Sequence, residues 1–243
     1  MKTIEDVVTF NELNWDTEFF GVTSAKVVLH RPLTLNEWAV LKTKLRSYQF
    51  ISIVNKNSEP VNAQLVGKDT AAFLADVNLQ FEKKLVHLDT DEKLKHVTIH
   101  QAMERNDQVV NLAKFHCTKF TEDPELAKRG GDQVYRHWVI NSFGKSDKFY
   151  ALSREPNGDI NGFVLYSYSD NVCIIELLAV SQKEAKSGIG TNLFKAIECV
   201  AYQKGTNKIK VGTQIRNMAA INFYQKCGCK QVECHQVYHL WNL

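Results

Sequence analysis

The pattern of apolar and polar positions in the first third of the chain predicts alternating strands and helices. Short apolar runs at residues 25–29, 50–54 and 71–81 predict strands. Thr34 and Glu37 have the spacing of a capping box, so a helix is predicted to begin there, with Trp38 on its apolar face. A second helix is predicted over residues 59–66, ended by Gly67. This part of the chain is predicted to be a small α/β unit.

A polar, charged segment at residues 89–95 separates that unit from a longer α/β run. It predicts two domains, residues 1–92 and residues 93–243. In the second domain, strands are predicted at 97–101, 149–152, 163–168, 172–180, 208–213 and 230–241, and helices at 107–115, 132–141, 188–204 and 218–227. Residues 156–159, Pro-Asn-Gly-Asp, predict the turn of a hairpin.

Composition limits the class of protein and its partners. Hydrophobic residues make up 44% and charged residues 23% of the 243 positions, which is typical of a soluble globular protein. The net charge of +3 comes without a long Lys/Arg block, so nucleic acid is not an expected partner. The N-terminus lacks a signal-peptide pattern, and no run approaches the roughly 20 apolar residues of a membrane span. We expect a cytoplasmic protein with no membrane partner.

The six cysteines favour reduced thiols over a metal site. They contain no Cys-x-x-Cys pair and fall mostly within apolar runs. Cys227, Cys229, Cys234, His235 and His239 do cluster in sequence, which leaves a zinc site open, but their spacing is unlike that of a zinc knuckle. We predict no metal.

The most informative local pattern is a strand followed by glycines at the start of a helix. Residues 174–180 form the apolar strand, and Gly188 and Gly190 open the helix. Glycines at a helix N-terminus let backbone N–H groups approach a phosphate closely, and the helix dipole favours the negative charge. The alternative is that these glycines only turn the chain.

A second pattern lies one predicted strand further on, at residues 217–228, where Asn217, Ala220, Tyr224 and Gly228 are spaced as Asn-x-x-Ala-x-x-x-Tyr-x-x-x-Gly. With the glycine pattern before it, this segment resembles the GNAT acetyltransferase superfamily. The resemblance implies an α/β GNAT fold, a mixed and splayed central sheet with flanking helices, preceded here by the smaller α/β domain. It also implies acetyl-CoA as co-substrate. Ala185 stands where the family has Arg or Gln, although Lys186 beside it keeps a cation in the loop.

The resemblance implies particular site residues. A bulge after Leu178 is expected to splay two strands, so that the pantetheine arm pairs with the exposed edge. The implied cofactor-binding residues are Leu178, Ala179, Val180, Lys186, Ser187, Gly188, Ile189, Gly190, Thr191, Asn217 and Ala220. Asn217 can also be the N-cap of the next helix. Tyr224 would be the general acid that protonates the departing thiolate; its alternative role is packing.

A general base is harder to identify. Glu176 lies on the strand beside the expected thioester, where some members of the superfamily carry an acid, and it is the predicted base. Its alternative is an exposed carboxylate at a strand edge. Asp76 is a second candidate.

A narrower resemblance covers nearly the whole chain. Residues 13–21, which read Leu-Asn-Trp-Asp-Thr-Glu-Phe-Phe-Gly, residues 119–124 with Tyr135 and Trp138, and residues 212–214 resemble the TDP-fucosamine acetyltransferases. The implied acceptor is the amine of a nucleotide-linked amino sugar, and a homodimer is left open. The implied substrate-binding residues are Trp15, Phe19, Phe20, Phe120, Tyr135 and Gln214. Core packing is the alternative for each aromatic. The rival functions are a protein, peptide or other small-amine N-acetyltransferase and a non-catalytic acyl-CoA sensor.

Overall fold

The computed structural model describes residues 7–86, 97–115, 118–184 and 187–243. Its strands are β1 Val8–Glu12, β2 Ser24–Leu29, β3 Phe50–Asn55, β4 Phe73–Lys84, β5 Val97–Gln101, β6 Phe149–Arg154, β7 Ile160–Ser169, β8 Val172–Val180, β9 Lys208–Gln214 and β10 Lys230–Trp241. The α-helices are α1 Asn14–Phe20, α2 Leu35–Leu45, α3 Pro60–Asp69, α4 Asp107–Leu112, α5 Lys119–Glu122, α6 Pro124–Lys128, α7 Val134–Ser142, α8 Ile189–Gln203 and α9 Met218–Lys226. Short 3-10 turns occupy Lys56–Ser58, Gly131–Gln133 and Gln182–Glu184.

Most of the predicted elements form, and local chemistry explains where the bounds differ. The capping box at α2 is confirmed: the Thr34 hydroxyl accepts from the Glu37 N–H, and the Glu37 carboxylate accepts from the Thr34 N–H at 2.8 Å. The prediction that the next helix ends at Gly67 is wrong. That helix continues to Asp69 and ends at Thr70, whose N–H and hydroxyl both donate to the Val66 carbonyl.

The predicted irregular stretch around residues 117–131 contains two short helices. Thr118 caps α5, and the Asp123 carboxylate caps α6 by accepting from the Glu125 and Leu126 N–H groups. The strand β1 and the helix α1 were not predicted.

The described strands form one ten-stranded mixed sheet in the order β1-β2-β3-β10-β4-β9-β8-β7-β6-β5. The C-terminal strand β10 lies between β3 and β4, and β4 in turn pairs with β9. The predicted α/β fold class is confirmed. The predicted boundary after residue 92 falls outside the described residues, and the division into two domains stays a prediction.

A bulge in β8 separates that strand from β9. Leu165 pairs with Leu177 and Tyr166 with Ile175, so Glu176 is the extra residue. The parallel pairing of β8 with β9 covers Val172–Ile175 and stops there. The expected bulge therefore lies at Glu176, two residues before Leu178, which corrects the position expected from the family pattern.

The bulge also changes which core each side chain enters. Cys173 and Ile175 pack with the residues beneath α8, whereas Leu177 and Ala179 pack with the residues beneath α4 and α7. One inserted residue turns the following side chains to the opposite face, because side chains alternate along a strand.

Candidate active site

A cavity of about 1060 Å³ lies across the sheet where β8 and β9 separate. Its wall runs from Lys26 on β2, through Asp76 on β4, to Leu178 on β8, and α7 and α9 contribute Tyr135 and Tyr224. The site residues predicted from sequence that line it are Glu176, Leu178, Asn217, Ala220, Tyr224, Phe120, Tyr135 and Gln214.

Tyr224 is held by α9 in an aromatic environment. Its ring lies 5.2 Å from that of Phe223, 5.9 Å from that of Phe81 and 6.4 Å from that of Phe194, measured between centroids. The residue is only 5% exposed, and this burial raises the pKa of its phenol. Its hydroxyl has no hydrogen-bond partner among the described residues. Tyr224 is therefore a protonated phenol at the cavity wall at neutral pH.

Asn217 fixes the start of α9. Its Oδ1 accepts from the Ala220 N–H at 3.1 Å, and its own N–H donates to the Gln214 carbonyl. Because Asn217 also lines the cavity, capping of the helix and contact with a ligand are compatible roles.

The start of α8 is built from backbone rather than side chains. Gly188 is the N-cap at φ +92°, and a Cβ there would meet no atom within 4 Å. The first N–H groups of α8 are therefore not covered by a capping side chain. At Gly162 on β7, in contrast, a Cβ would lie 2.9 Å from Ile189 and 3.0 Å from Leu193, so this glycine lets α8 pack directly on the sheet.

These features fit an acyl-coenzyme A. An open edge of β8 beyond Ile175 offers backbone groups to an amide-bearing arm, and the start of α8 offers N–H groups to a pyrophosphate. The predicted cofactor residues outside the cavity wall are Ala179, Val180, Ser187, Gly188, Ile189, Gly190 and Thr191. Lys186 and the neighbouring Ala185 lie outside the described residues.

Glu176 is engaged on both carboxylate oxygens. Oε1 accepts from Lys148 Nζ at 2.6 Å, and Oε2 accepts from Trp138 Nε1 at 3.1 Å. Its side chain is 10% exposed, so it is not an exposed carboxylate at a strand edge. The ion pair ties the bulge of β8 to Lys148, which directly precedes β6, and the hydrogen bond ties it to α7.

Asp76 is a carboxylate with an altered acidity. Burial raises its pKa to about 6, although the charge of nearby Lys119 opposes that shift. The side chain lines the cavity together with Asn78 and Gln80 of the same strand. In the sequence, these polar residues occupy every second position of β4, a pattern that indicates one face of a strand.

The predicted substrate-binding aromatics divide into two groups. Tyr135 and Phe120 line the cavity; Tyr135 stacks on Trp138 at 6.1 Å and 8°, and its hydroxyl accepts from Gln214 Nε2 at 3.0 Å. Burial raises the pKa of Tyr135 to about 12.

The aromatics of α1 lie elsewhere. Trp15, Phe19 and Phe20 pack on one another, with Trp15 stacked on Phe19 at 4.6 Å. Trp15 and Phe19 also contact His137 of α7. The structure does not bring these three residues to the cavity wall.

The cysteines and the helices add two findings. Cys173, Cys199 and Cys229 are buried, and Cys227 and Cys234 are half-buried; Cys117 lies outside the described residues. Of the helices within the described ranges, none is both long enough and apolar enough to cross a membrane.

A mixed sheet whose central parallel strands separate over a large cavity is the architecture expected of an acetyltransferase, and comparison with known proteins agrees. Residues 102–229 match the acetyltransferase (GNAT) family. This match covers more than half of the chain, so the chain belongs to that family and is an enzyme of the N-acetyltransferase class.

Individual relatives are more distant. The chain is 25% identical over 224 residues to a dTDP-fucosamine acetyltransferase of Escherichia coli O6:H1, covering 89% of this chain and 91% of the relative. It is 25% identical over 138 residues to the spore coat polysaccharide biosynthesis protein SpsD of Bacillus subtilis; this covers 56% of the chain and about half, 47%, of SpsD. Both resemblances stated from the sequence are confirmed.

A solved structure supports the fold. A GCN5-related N-acetyltransferase from Sphaerobacter thermophilus is similar with a TM-score of 0.63 at 13% identity, covering 97% of this chain and 76% of that one. At this identity the likeness concerns the fold alone.

Proposed function

We propose that the protein transfers an acetyl group from acetyl-CoA to the amine of a nucleotide-linked amino sugar. The observation that carries the proposal is the position of Tyr224 and Asp76 on the wall of one cavity, which opens where β8 and β9 separate. The name of the Escherichia coli relative, which this chain matches over 89% of its length, supports the acceptor class.

Acetyl-CoA supplies the thioester from which the acetyl group is taken. The N–H groups at the start of α8 would hold its pyrophosphate, and the unpaired edge of β8 after Ile175 would pair with its pantetheine amides. Leu178, Asn217 and Ala220 line the same cavity as Tyr224.

Tyr224 is the proposed proton donor to the leaving sulfur. A thiolate leaves more easily when a nearby acid protonates it, and Tyr224 keeps its proton at neutral pH because burial raises its pKa. The hydroxyl is not occupied by another described group, so it is available to the sulfur.

Asp76 is the proposed base for the acceptor amine. Its pKa of about 6 makes it ionised but still basic at neutral pH, which suits proton abstraction. Glu176 was the base predicted from sequence, but both of its oxygens accept from Lys148 and Trp138. We assign Glu176 a positioning role: it orients the indole of Trp138, which stacks on Tyr135 in the acceptor wall.

The aromatic wall favours a flat or ring-shaped acceptor over an extended peptide. Tyr135, Trp138, Phe120 and Phe115 lie together on one side of the cavity. Faces of aromatic rings are common binding surfaces for sugars and nucleobases, and a cavity of this size accommodates a drug-sized ligand.

The cysteine pattern supports a cytoplasmic location.

A direct comparison of acceptors tests the function. Release of coenzyme A from acetyl-CoA would be followed with TDP- and UDP-linked amino sugars and with lysine peptides at equal concentrations. We expect a nucleotide sugar to have the highest kcat/KM. A peptide with the higher kcat/KM would overturn the acceptor class, and release of no coenzyme A with any amine, despite binding of acetyl-CoA, would favour the sensor.

A further inference from the structure

The end of the cavity furthest from β8 contains two lysines for which the chemistry above gives no role. Lys26 projects from β2 and is exposed, and Lys119 is the first residue of α5 and is partly buried. Both line the cavity. Among the described residues, neither has a carboxylate within 4 Å of its Nζ.

Lys26 and Lys119 line the same cavity, and the charge of Lys26 acts on Lys119. Burial, and then the charge of Lys26, lower the pKa of Lys119. The carboxylates of Asp76 and Asp16 act on Lys119 in the opposite sense and raise its pKa. Asp16 lies outside the cavity wall, and the single charge of Asp76 does not balance two ammonium groups. An anion in the cavity would relieve this unfavourable arrangement.

We propose that Lys26 and Lys119 bind the diphosphate of the acceptor nucleotide, an inference that rests on the function proposed above. Lysine ammonium groups bind phosphate oxygens as point charges through charge-assisted hydrogen bonds. Lys119 also acts electrostatically on Asp76, so a sugar held between them has its phosphate end at the lysines and its amine end at the carboxylate.

Lys56 provides a matched control inside the same cavity. Lys26 pairs in register with Ser52 of β3, and Lys56 is four residues further along. At about 3.3 Å per residue this places Lys56 roughly 13 Å along the strand direction from Lys26. Because the two backbone positions lie this far apart, we expect a diphosphate held at Lys26 to gain little from Lys56.

The experiment is a calorimetric titration of thymidine diphosphate into the full-length protein at physiological salt. Coenzyme A is kept saturating so that the phosphate-binding start of α8 is occupied. We expect Lys26→Met and Lys119→Met each to weaken binding about tenfold or more, and Lys56→Met to change it less than about twofold. Lys26→Arg and Lys119→Arg should retain most of the affinity, and thymidine without phosphates should not distinguish the variants.

Three results would overturn the proposal: no binding of thymidine diphosphate to the unaltered protein, equal losses in the Lys56 variant, or unchanged affinity in both methionine variants. If Lys119→Met does not fold, the exposed Lys26 decides the outcome alone. Acetyl-CoA affinity and acetyl transfer are measured on the same samples. Intact transfer with unchanged nucleotide affinity would reject the lysine pair and leave the proposed function standing. Lysine-dependent nucleotide binding without transfer would support the lysine pair and reject the proposed function.

Discussion

Tyr224 is packed among three phenylalanine rings, so its hydroxyl can be removed without changing the shape of its surroundings. We expect Tyr224→Phe to lower kcat by about 10²–10⁴-fold, the usual contribution of general acid catalysis, with little change in KM for acetyl-CoA. Steady-state kinetics measure both quantities. A decrease in kcat below about tenfold would assign Tyr224 to packing.

The pH dependence gives a second check on the same residue. The active form is the protonated phenol, and burial raises the pKa of Tyr224 above its ordinary value of about 10. The rate should therefore stay high until the pH passes about 10, and the fall beyond it should disappear in Tyr224→Phe. The same fall in the variant would assign it to another group.

Asp76 should control the acidic side of the profile. As a base it must be ionised, and its pKa is about 6, so kcat/KM should fall as the pH drops through about 6. Asp76→Asn should lose most activity and this acidic limb. Glu176→Gln serves as the comparison: a positioning role predicts a higher KM for the acceptor with the limb retained. Loss of the limb in the Glu176 variant instead would restore Glu176 as the base.

Asp76 also links activity to stability. Its folded pKa is raised from 3.8 to about 6 by burial, so folding favours the protonated form, and that stability is lost as the pH rises through about 6. The uncharged Asp76→Asn should therefore have a higher Tm than the unaltered protein at pH 8 and a similar Tm at pH 4. Thermal unfolding at the two pH values measures the difference, and a lower Tm at pH 8 would contradict the sign.

Single residues were predictable where a motif fixes them to the start of a helix or the edge of a strand. Asn217, Tyr224 and Leu178 line the cavity, and their contacts with a cofactor stay a prediction. Trp15, Phe19 and Phe20 match a family pattern just as well but pack on one another, and nothing in a run of aromatics distinguishes a pocket from a core. The role of Glu176 depended on Lys148 and Trp138, partners that are distant in sequence.

At the scale of a whole element, phosphate binding by the start of α8 can be tested by substitution. Gly188 has a φ of +92°, and a Cβ there has open space, so Gly188→Val strains the backbone and covers the first N–H groups without a steric clash. We expect acetyl-CoA affinity to fall about tenfold or more in calorimetry. Gly205→Val is the matched control, because Gly205 lies at the other end of the same helix with φ +80° and equally open space. Equal losses of affinity in the two variants would reject the phosphate cradle.

The bounds of the elements were predictable wherever periodicity was strong. Both β8 and β10 have the bounds that their apolar patterns predict. In contrast, β1 has one buried residue among five, and α1 has no side-chain cap at its N-terminus, so neither carried a local signal. The bulge at Glu176 was unpredictable because residues 174–178 read as a regular strand, and a bulge is defined by the register of the partner strand.

The topology of the whole molecule depends on pairings between distant residues. The strand β10 pairs with β3 through Gln236–Trp241 and with β4 through residues 230–239. Along the chain, nearly 150 residues separate β10 from β4, and more separate it from β3. Periodicity identifies strands but not their neighbours, so the sequence did not show that the last strand would lie between the third and fourth. This placement joins the two predicted domains in one sheet.

Because β10 contributes to both halves of the molecule, the chain should unfold in a single cooperative transition. Tyr238 and Leu240 pack in the core around Trp38, whereas Cys234 and its partner on β4, Leu79, pack in the core beneath α8. Hydrogen exchange measured at increasing urea should therefore show β2, β3, β7 and β8 losing protection at the same urea concentration.

Leu240→Ala removes a buried side chain, which typically costs about 2–5 kcal/mol, so it should lower that urea concentration for all four strands together. Val232→Ala is the control, since Val232 is on the same strand but 48% exposed and should have little effect. Earlier loss of protection in β2 and β3 alone would mean that the N-terminal unit unfolds independently, despite the strand it shares with the rest of the sheet.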